Sequence, residues 1–419
     1  MEHDSWWKWT FAYPAIITGS FWLSNIFSPT TALTIFLSYI CIYTFALFSF
    51  YRHTCHLVFN RYPSWTIESL YQFAAICRPI ALLWRLSTAC IRVTPSVCIV
   101  GEVRCGTTTV AAHLSRLPGA HPPFCPWRVG FADNKESFYF VGHYFGLVHP
   151  FFYRAAFPTI FEKWFTIYVL QKPFFAYDAC AQYLTAPWVA SLLKQVVPDA
   201  RLIICVRNPV MQNLSWWRFE QNAMHWASKI LKIGNTYWRE QYPPHSLRIA
   251  YQLSSSKSTR DLYAQAEQLT CVGNTQRCGL WFLPLWAGTF PGGQLASFAA
   301  NGKYINNIRR YLRFFKREQI FVIDLQSDIA NISSVPVTLH RLLDHVAKAP
   351  SLIQTEKYYR KIGRIILKKN AETIHTKKNV GSKLPAAQEP TDVTFKYLDE
   401  AYASSKEELF ALLGKRYEW

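Results

Sequence analysis

A stretch near the beginning of the chain carries no charged side chain. Between Phe11 and Tyr51 there is no Asp, Glu, Lys, Arg or His. Because a membrane-spanning helix needs roughly 20 apolar residues, this stretch can hold one long helix or two short ones, with a turn at Ser28–Thr30. Three tryptophans within residues 6–9 are typical of an interfacial aromatic belt. We therefore expect residues 1–52 to form a membrane anchor; a buried helical hairpin of a soluble protein is the alternative.

Basic residues on either side of this stretch bear on its orientation. Only Lys8 precedes it, whereas five arginines follow it: Arg52, Arg61, Arg78, Arg85 and Arg92. For a single span, the positive-inside rule places the C-terminal body in the cytosol, and a two-helix hairpin places both ends on one side. Residues 53–94 are expected to form a stem or a helical segment on the membrane surface.

A buried strand, a glycine loop and a helix follow one another after this stem. Residues 96–100 are apolar with β-branched side chains, which is typical of a buried parallel strand. The loop Gly101–Gly106 comes next, and the helical pattern that starts at Val110 stops before Pro118. Backbone N–H groups and the helix dipole face an anion in such an arrangement. The segment therefore predicts a phosphate site; a tight turn before a helix is the alternative.

The loop differs from the Walker A sequence of nucleoside triphosphatases in the position of its cation. Four residues separate Gly101 from Gly106, as in Walker A, but Thr107 stands where Walker A has its lysine. The cation is Arg104, two residues before the second glycine. This position suits a donor whose leaving group is a nucleotide monophosphate, whereas a Walker lysine reaches the β and γ phosphates of a triphosphate. A P-loop kinase or NTPase remains the alternative enzyme.

A second strand with a cation at its end lies further along the chain. Residues 201–206 are again apolar and β-branched, and Arg207-Asn208-Pro209 ends the run. Ser215 lies eight residues after Arg207, on the helix that follows. Both side chains can reach one phosphate in the crevice where open α/β sheets bind ligands. An arginine that caps the strand in a salt bridge is the alternative.

Composition limits the classes of protein that fit. Of the 419 residues, 50% are hydrophobic and 16% are aromatic, which excludes a disordered or collagen-like chain and permits a large core. Lys and Arg number 45 against 26 Asp and Glu, and the resulting net charge of +19 favours anionic partners without choosing among them. The 11 cysteines include no CxxC repeat, which argues against a zinc ribbon.

The two phosphate motifs together resemble those of sulfotransferases that use PAPS (3′-phosphoadenosine 5′-phosphosulfate), in particular the carbohydrate sulfotransferases of the heparan-sulfate and chondroitin type. The first resembles the family's 5′-phosphosulfate loop, Lys-x-Gly-Thr-Thr, with arginine in place of lysine. The second resembles its 3′-phosphate motif, although Gln212 stands where the family often has a further arginine. The resemblance implies PAPS as donor and PAP as product, bound by Arg104, Cys105, Gly106, Thr107, Thr108, Thr109, Arg207 and Ser215.

The resemblance covers residues 95–419 and implies the fold of this part of the chain. We expect an α/β, P-loop-like three-layer sandwich with a central, mainly parallel sheet flanked by helices. An N-terminal transmembrane helix or helical hairpin precedes it.

The acceptor side of the site is also implied by the resemblance. Residues 134–140 resemble the family segment Lys-Glu-x-x-Phe-Phe, which makes Glu136 the general base and lets Lys135 orient the acceptor. A surface Lys-Glu pair is the alternative, and His143 is a second candidate base. Asp178 falls in a segment that resembles Glu-x-Ser-Pro-x-Tyr and is a candidate acceptor-side residue; an Asp that caps a loop is the alternative.

A basic helix and a strand are predicted in the C-terminal third. Residues 303–317 contain no acid and six basic side chains: Lys303, Arg309, Arg310, Arg313, Lys316 and Arg317. The helix is amphipathic, and its basic face is either a rim for an anionic acceptor or simply solvated. Residues 318–323 then form a strand.

Three further features in the chain match what the resemblance implies. Lys377, Lys378 and Lys383 belong to a basic, glycine-containing loop placed like the family loop that closes over the 3′-phosphate and adenine. Cys271 and Cys278 are spaced as in a short lumenal disulfide, with free buried cysteines as the alternative. Asn331-Ile332-Ser333 is a candidate glycosylation sequon.

The resulting hypothesis is a membrane-anchored enzyme that transfers a sulfuryl group from PAPS to a carbohydrate hydroxyl or amine. It requires no metal, because Arg104 and fixed dipoles perform the electrostatic role. The resemblance implies a Golgi membrane location with a lumenal catalytic domain, and no nucleic-acid partner is expected. A non-enzymatic basic membrane protein that binds anionic polymer or lipid is the alternative outside catalysis.

Overall fold

The structure, a computed structural model, describes residues 81, 83–124, 136–137, 139–140, 150–218, 302–330, 334–369 and 392–419. The expected membrane anchor at 1–52 and most of the expected stem at 53–94 lie outside these residues. Within them, no helix combines the length and the hydropathy needed to cross a bilayer.

A five-stranded parallel sheet forms the centre of the described chain. Its strands are β1 (Val97–Gly101), β2 (Ala120–His121), β3 (Phe175–Cys180), β4 (Arg201–Val206) and β5 (Ile320–Asp324). They lie in the order β2-β3-β1-β4-β5, and all pairs are parallel. The predicted strands at 96–100, 201–206 and 318–323 are confirmed, with small shifts at their ends.

Helices flank this sheet. They are α1 (Thr107–Leu114), α2 (Ile160–Trp164), α3 (Val189–Val196), α4 (209–218), α5 (Tyr304–Phe314), α6 (Val335–Ala347), α7 (Glu356–Lys369) and α8 (Asp392–Leu413). Helix α1 packs on β1 and β3, and α6 packs on β5. Short 3-10 turns cover Ala89–Ile91, Pro150–Ala156, Arg317–Gln319 and Pro350–Thr355, and π turns cover Phe165–Val169 and Leu325–Ala330. The expected central parallel sheet with flanking helices is therefore present.

The middle strands are apolar because both of their faces are covered. Every residue of β1 and β3 is buried, and in β4 only Arg201 is partly exposed. Strand β1 pairs on one side with β3 and on the other with β4. The chain thus passes from one side of β1 to the other, which is the kind of switch point where open parallel sheets bind ligands beyond the carboxyl ends of their strands.

Helix α5 is more buried than its basic sequence indicated. It packs against both α3 and α8. Arg310 is buried and donates from Nη1 to Asn307 Oδ1 at 3.1 Å, so it does not belong to an exposed basic face. Arg309 is exposed and forms an ion pair with Glu408 at 2.9 Å. Arg310 is therefore not part of the basic face that was predicted as a rim for an anionic acceptor.

The C-terminal part of the chain holds α4 against the sheet. Trp216 and Trp217 of α4 pack with Leu398 and Tyr402 of α8 in a small buried cluster. Asn213 donates from Nδ2 to the Tyr402 hydroxyl at 2.6 Å. Helix α8 thereby fixes the position of the helix that follows β4.

Candidate functional site

The glycine loop and the beginning of α1 form an open helix N-terminus at the carboxyl end of β1. Gly106 is the N-cap of α1, has φ 85°, and provides no side chain to cap the first turn. A Cβ on Gly101 would lie 1.9 Å from Thr107 Cγ2, and one on Gly106 would lie 2.4 Å from Leu325 Cδ1. Both positions therefore require glycine. The first-turn N–H groups of α1 are left for a ligand or water.

Two guanidinium groups meet at this loop. Arg104 has φ 67° and donates from Nε to Ser215 Oγ at 3.1 Å. Arg207, just beyond the end of β4, donates from Nη1 to the Arg104 carbonyl at 3.3 Å. Its Nε is buried and has no hydrogen-bond partner among the described residues. The structure thus brings together the three side chains that the sequence assigned to the two phosphate motifs.

The electrostatics of this cluster favour an anion. Burial lowers the pKa of Arg104, and the neighbouring Arg207 guanidinium lowers it further. Two like charges held together in partly buried surroundings repel each other. Phosphate groups bound at these guanidiniums would relieve both the repulsion and the unmet hydrogen-bonding capacity of Arg207 Nε.

Gln212 holds the loop in place from α4. Its side chain is fully buried, and its Nε2 donates to the Val103 carbonyl at 2.8 Å. The helix begins where Asn208 Oδ1 accepts hydrogen bonds from the backbone N–H groups of Val210 and Met211. In place of a further arginine, the chain therefore has an amide that joins the two motifs mechanically.

A buried carboxyl group, which the sequence interpretation missed, lies within the loop. Glu102 is 1% exposed; its Oε1 accepts from the Val103 N–H at 2.9 Å, and its Oε2 has no partner among the described residues. Burial raises the pKa of Glu102 well above its usual value. Burial thus favours the neutral form of the carboxyl group, which would not repel an anion in the loop. In the sequence, the signal for this carboxyl group is the position of Glu102 inside the glycine loop, between Gly101 and Arg104.

The remaining loop side chains differ in their access to a ligand. Cys105 is buried, its Sγ lies 3.3 Å from the Tyr304 hydroxyl, and burial raises the pKa of its thiol, so its side chain is not exposed to a ligand. Thr107 is buried in contact distance of Gly101. Thr108 and Thr109 are partly exposed in the first turn of α1. Two of the three predicted hydroxyls therefore remain accessible.

Of the candidate acceptor-side residues, the structure describes Glu136 and Asp178, and Asp178 is a buried residue of β3. Asp178 is fully buried; its Oδ1 accepts from Ser137 N at 3.0 Å and its Oδ2 from Ser137 Oγ at 2.6 Å. The hydroxyls of Tyr153 and Tyr183 also donate to Oδ2, each at 2.8 Å. Glu136 is partly exposed next to Ser137. Asp178 therefore anchors the segment that carries Glu136, which fits the loop-capping alternative; its part on the acceptor side stays a prediction.

Several predicted residues lie outside the described part of the chain: Lys135, His143, Cys271, Cys278, Asn331, Lys377, Lys378 and Lys383. Among the described cysteines, Cys90, Cys98 and Cys105 are free thiols. Among the described residues, no group of three or more His, Cys, Asp or Glu has an arrangement that could hold a metal ion.

Comparisons with known proteins find a likeness among solved structures only. No protein-family model matches the chain, and no curated protein matches it. A crystal structure of a sulfotransferase from Alicyclobacillus acidocaldarius is similar to it with a TM-score of 0.40 and 16% sequence identity, over 78% of this chain and 98% of that one. A likeness at this level assigns neither a family nor an activity, so the function has to be argued from the site itself.

Proposed function

We propose that this chain transfers a sulfuryl group from PAPS to a hydroxyl or amine of a carbohydrate acceptor. The observation that carries the proposal is that the side chains of Arg104 and Arg207 come together at the loop that leads into the uncapped N-terminus of α1. Two cations and a row of free N–H groups at a sheet switch point suit a ligand with two separate phosphate groups.

The two motifs divide the donor between them. Arg104 and the backbone N–H groups of α1 would hold the 5′-phosphosulfate, and Arg207 with Ser215 would hold the 3′-phosphate. The buried, unpartnered Arg207 Nε fits this assignment, since a phosphate oxygen would complete its hydrogen bonding. The basic loop at 377–383 would close over the adenine and 3′-phosphate.

The same geometry argues against a kinase or NTPase. Thr107, at the position of the Walker lysine, is buried with its methyl group against Gly101. It can supply no cation to the β and γ phosphates of a triphosphate. The loop is therefore better suited to a donor that leaves as a nucleotide monophosphate.

The chain's own residues would perform the proton and charge steps. PAPS supplies the sulfuryl group and departs as PAP. The oxygen or nitrogen of the acceptor would form a bond to sulfur while the bond from sulfur to the phosphate oxygen breaks. Glu136 would accept the proton that the acceptor hydroxyl or amine loses in this step. Arg104 would stabilise the negative charge that develops on that phosphate oxygen, and Lys135 or His143 would orient the acceptor.

The setting of the reaction follows from the sequence resemblance. We place the catalytic region at 95–419 on the lumenal side of the Golgi membrane, with residues 1–52 as its anchor. The acceptor is a polysaccharide or glycoconjugate. Asp178 does not contact it but positions Glu136 through its hydrogen bonds to Ser137.

Transfer of radiolabelled sulfate from PAPS to a panel of desulfated glycans tests the proposed reaction. We expect label in at least one glycan, and none when PAPS is replaced by labelled inorganic sulfate. If the chain binds PAP but labels no member of a panel of polysaccharides, glycolipids and small sugars, it is a nucleotide-binding protein and the proposed reaction is wrong.

A further inference from the structure

Exposed apolar side chains are concentrated in three stretches of the described chain. Of the thirteen large hydrophobic residues that are exposed in the part of the chain that the structure describes, ten come from these stretches: Leu83, Trp84, Phe124, Ile160, Phe161, Trp164, Phe165, Tyr168, Val169 and Leu170. We call these ten residues the aromatic patch. Isolated exposed apolar residues are ordinary, but so many aromatic rings in stretches that are joined by Arg85, which lies over the Phe124 ring and donates to the Ala155 carbonyl, mark an interaction surface.

Most of the patch lies on a projection formed by α2 and the π turn at Phe165–Val169. A capping box begins the helix, in which Thr159 and Glu162 bind each other's backbone N–H groups. Phe161 is 67% exposed, Trp164 54% and Tyr168 59%. No residue from Ile160 to Val169 is buried, so the projection has no face packed on the core.

The projection stands where the chain enters from its N-terminal region. Arg85 donates from Nη1 to the Ala155 carbonyl at 2.8 Å, and Arg92 donates from Nη1 to the Phe157 carbonyl at 2.6 Å. Val93 N–H donates to the Pro158 carbonyl at 3.0 Å. The segment that follows the uncharged N-terminal stretch is thus tied to the base of the projection, and it carries two patch residues of its own.

The composition of the patch favours a lipid surface over a protein partner. Trp, Tyr and Phe accumulate where a protein meets the boundary between headgroups and acyl chains. Lys163 and Lys172 flank the projecting rings and can reach anionic headgroups. The net charge of +19 for the whole chain acts in the same direction.

We propose that the aromatic patch inserts into the interface of a lipid bilayer and is a second membrane contact, separate from the N-terminal segment. The contact holds the folded part of the chain against the membrane. It does not depend on the chemistry at Arg104.

A site-specific photo-crosslink tests this contact in the full chain. Phe165→p-benzoylphenylalanine is reconstituted in vesicles of phosphatidylcholine and phosphatidylserine, irradiated, and analysed by mass spectrometry. The matched control is Val337→p-benzoylphenylalanine, because Val337 is 60% exposed on α6. That helix packs on β5, at the opposite edge of the sheet from β2.

We expect lipid adducts from position 165 and none above background from position 337. Because the probe reports only its own surroundings, anchoring by residues 1–52 alone does not produce this result. Adducts from position 165 to another segment of the same chain, or to a second copy, would show that protein covers the patch and would overturn the proposal. Failure of the full chain to associate with the vesicles would overturn it as well.

Discussion

The carboxylate of Asp178 holds the segment that carries Glu136. Replacing Asp178 by asparagine measures how much this carboxylate contributes to the free energy of unfolding. The carboxylate accepts four hydrogen bonds, from the Ser137 N–H, the Ser137 hydroxyl and the hydroxyls of Tyr153 and Tyr183. In Asp178→Asn one acceptor oxygen becomes an NH₂ group. If that group takes the Oδ1 position it faces the Ser137 N–H, which cannot accept a hydrogen bond.

The structure sets the size of the expected loss. In the other orientation the NH₂ group faces three hydroxyls, of which its two hydrogens can serve two. Either way at least one buried donor loses its partner, at a site that is fully buried. We expect the free energy of unfolding to fall by between about 2 and 4 kcal/mol.

Denaturant unfolding of the variants provides the measurement. Tyr153→Phe is the matched comparison, because it removes one hydroxyl and leaves the carboxylate with three donors. We expect it to cost about 1 kcal/mol. A loss for Asp178→Asn no greater than that for Tyr153→Phe would show that the carboxylate is not the centre of the network.

Four further changes have expected outcomes. Glu136→Gln should abolish sulfate transfer, while its affinity for PAP stays within about twofold of the wild type, because the change removes only the proton acceptor. Label transfer measures the activity and calorimetry measures the affinity. An equal loss of activity and affinity would exclude Glu136 as the general base. Arg104→Ala should weaken PAP binding by about 10- to 100-fold, the loss of a charge-assisted contact, and unchanged binding would remove Arg104 from the site. Gly106→Ala should destabilise the fold by at least about 1 kcal/mol, because the residue has φ 85° and a Cβ there would meet Leu325; unchanged stability would contradict the loop geometry. Glu102→Gln should become more stable than the wild type as the pH rises above about 4.5, the ordinary pKa of the carboxyl group. The gain in the free energy of unfolding should be up to about 1.4 kcal/mol for each pH unit. A stability difference between the two proteins that does not change with pH would contradict a raised pKa for the buried carboxyl group.

The sign for Glu102 follows from its raised pKa in the folded state. Between its ordinary pKa and the raised one, the folded chain keeps the proton and the unfolded chain releases it. Stability from this group therefore falls as the pH rises through that window, and glutamine removes the dependence. Below the ordinary pKa the carboxyl group is protonated in both the folded and the unfolded state. The stability difference between the wild type and Glu102→Gln should therefore not change with pH in that range.

The strands and the loop could be predicted from the sequence because their signals are local. Apolar, β-branched runs gave β1 and β4, and the glycine spacing with Arg104 gave the anion loop. The meeting of Arg104 with Arg207 could also be anticipated, because both follow parallel strands and the carboxyl ends of such strands share one edge.

The roles of Asp178, Gln212 and Glu102 could not be predicted in this way because they depend on which segments become neighbours. Asp178 was assigned to the acceptor from its short motif, yet it is fully buried beneath Ser137, a residue far from it in sequence. Gln212 joins α4 to the glycine loop only once β1 and β4 are paired. The sequence interpretation assigned no role to the apolar residues at 160–170, whose exposure is visible only in the structure.

Calorimetric titration with adenosine 3′,5′-bisphosphate tests the central claim most directly, namely that Arg104 and Arg207 bind the two ends of one adenylate. We predict saturable binding of one ligand per chain, weakened by about 10- to 100-fold in Arg207→Ala. The absence of any binding heat from the folded wild-type chain, supported by no shift in its thermal unfolding, would contradict the account.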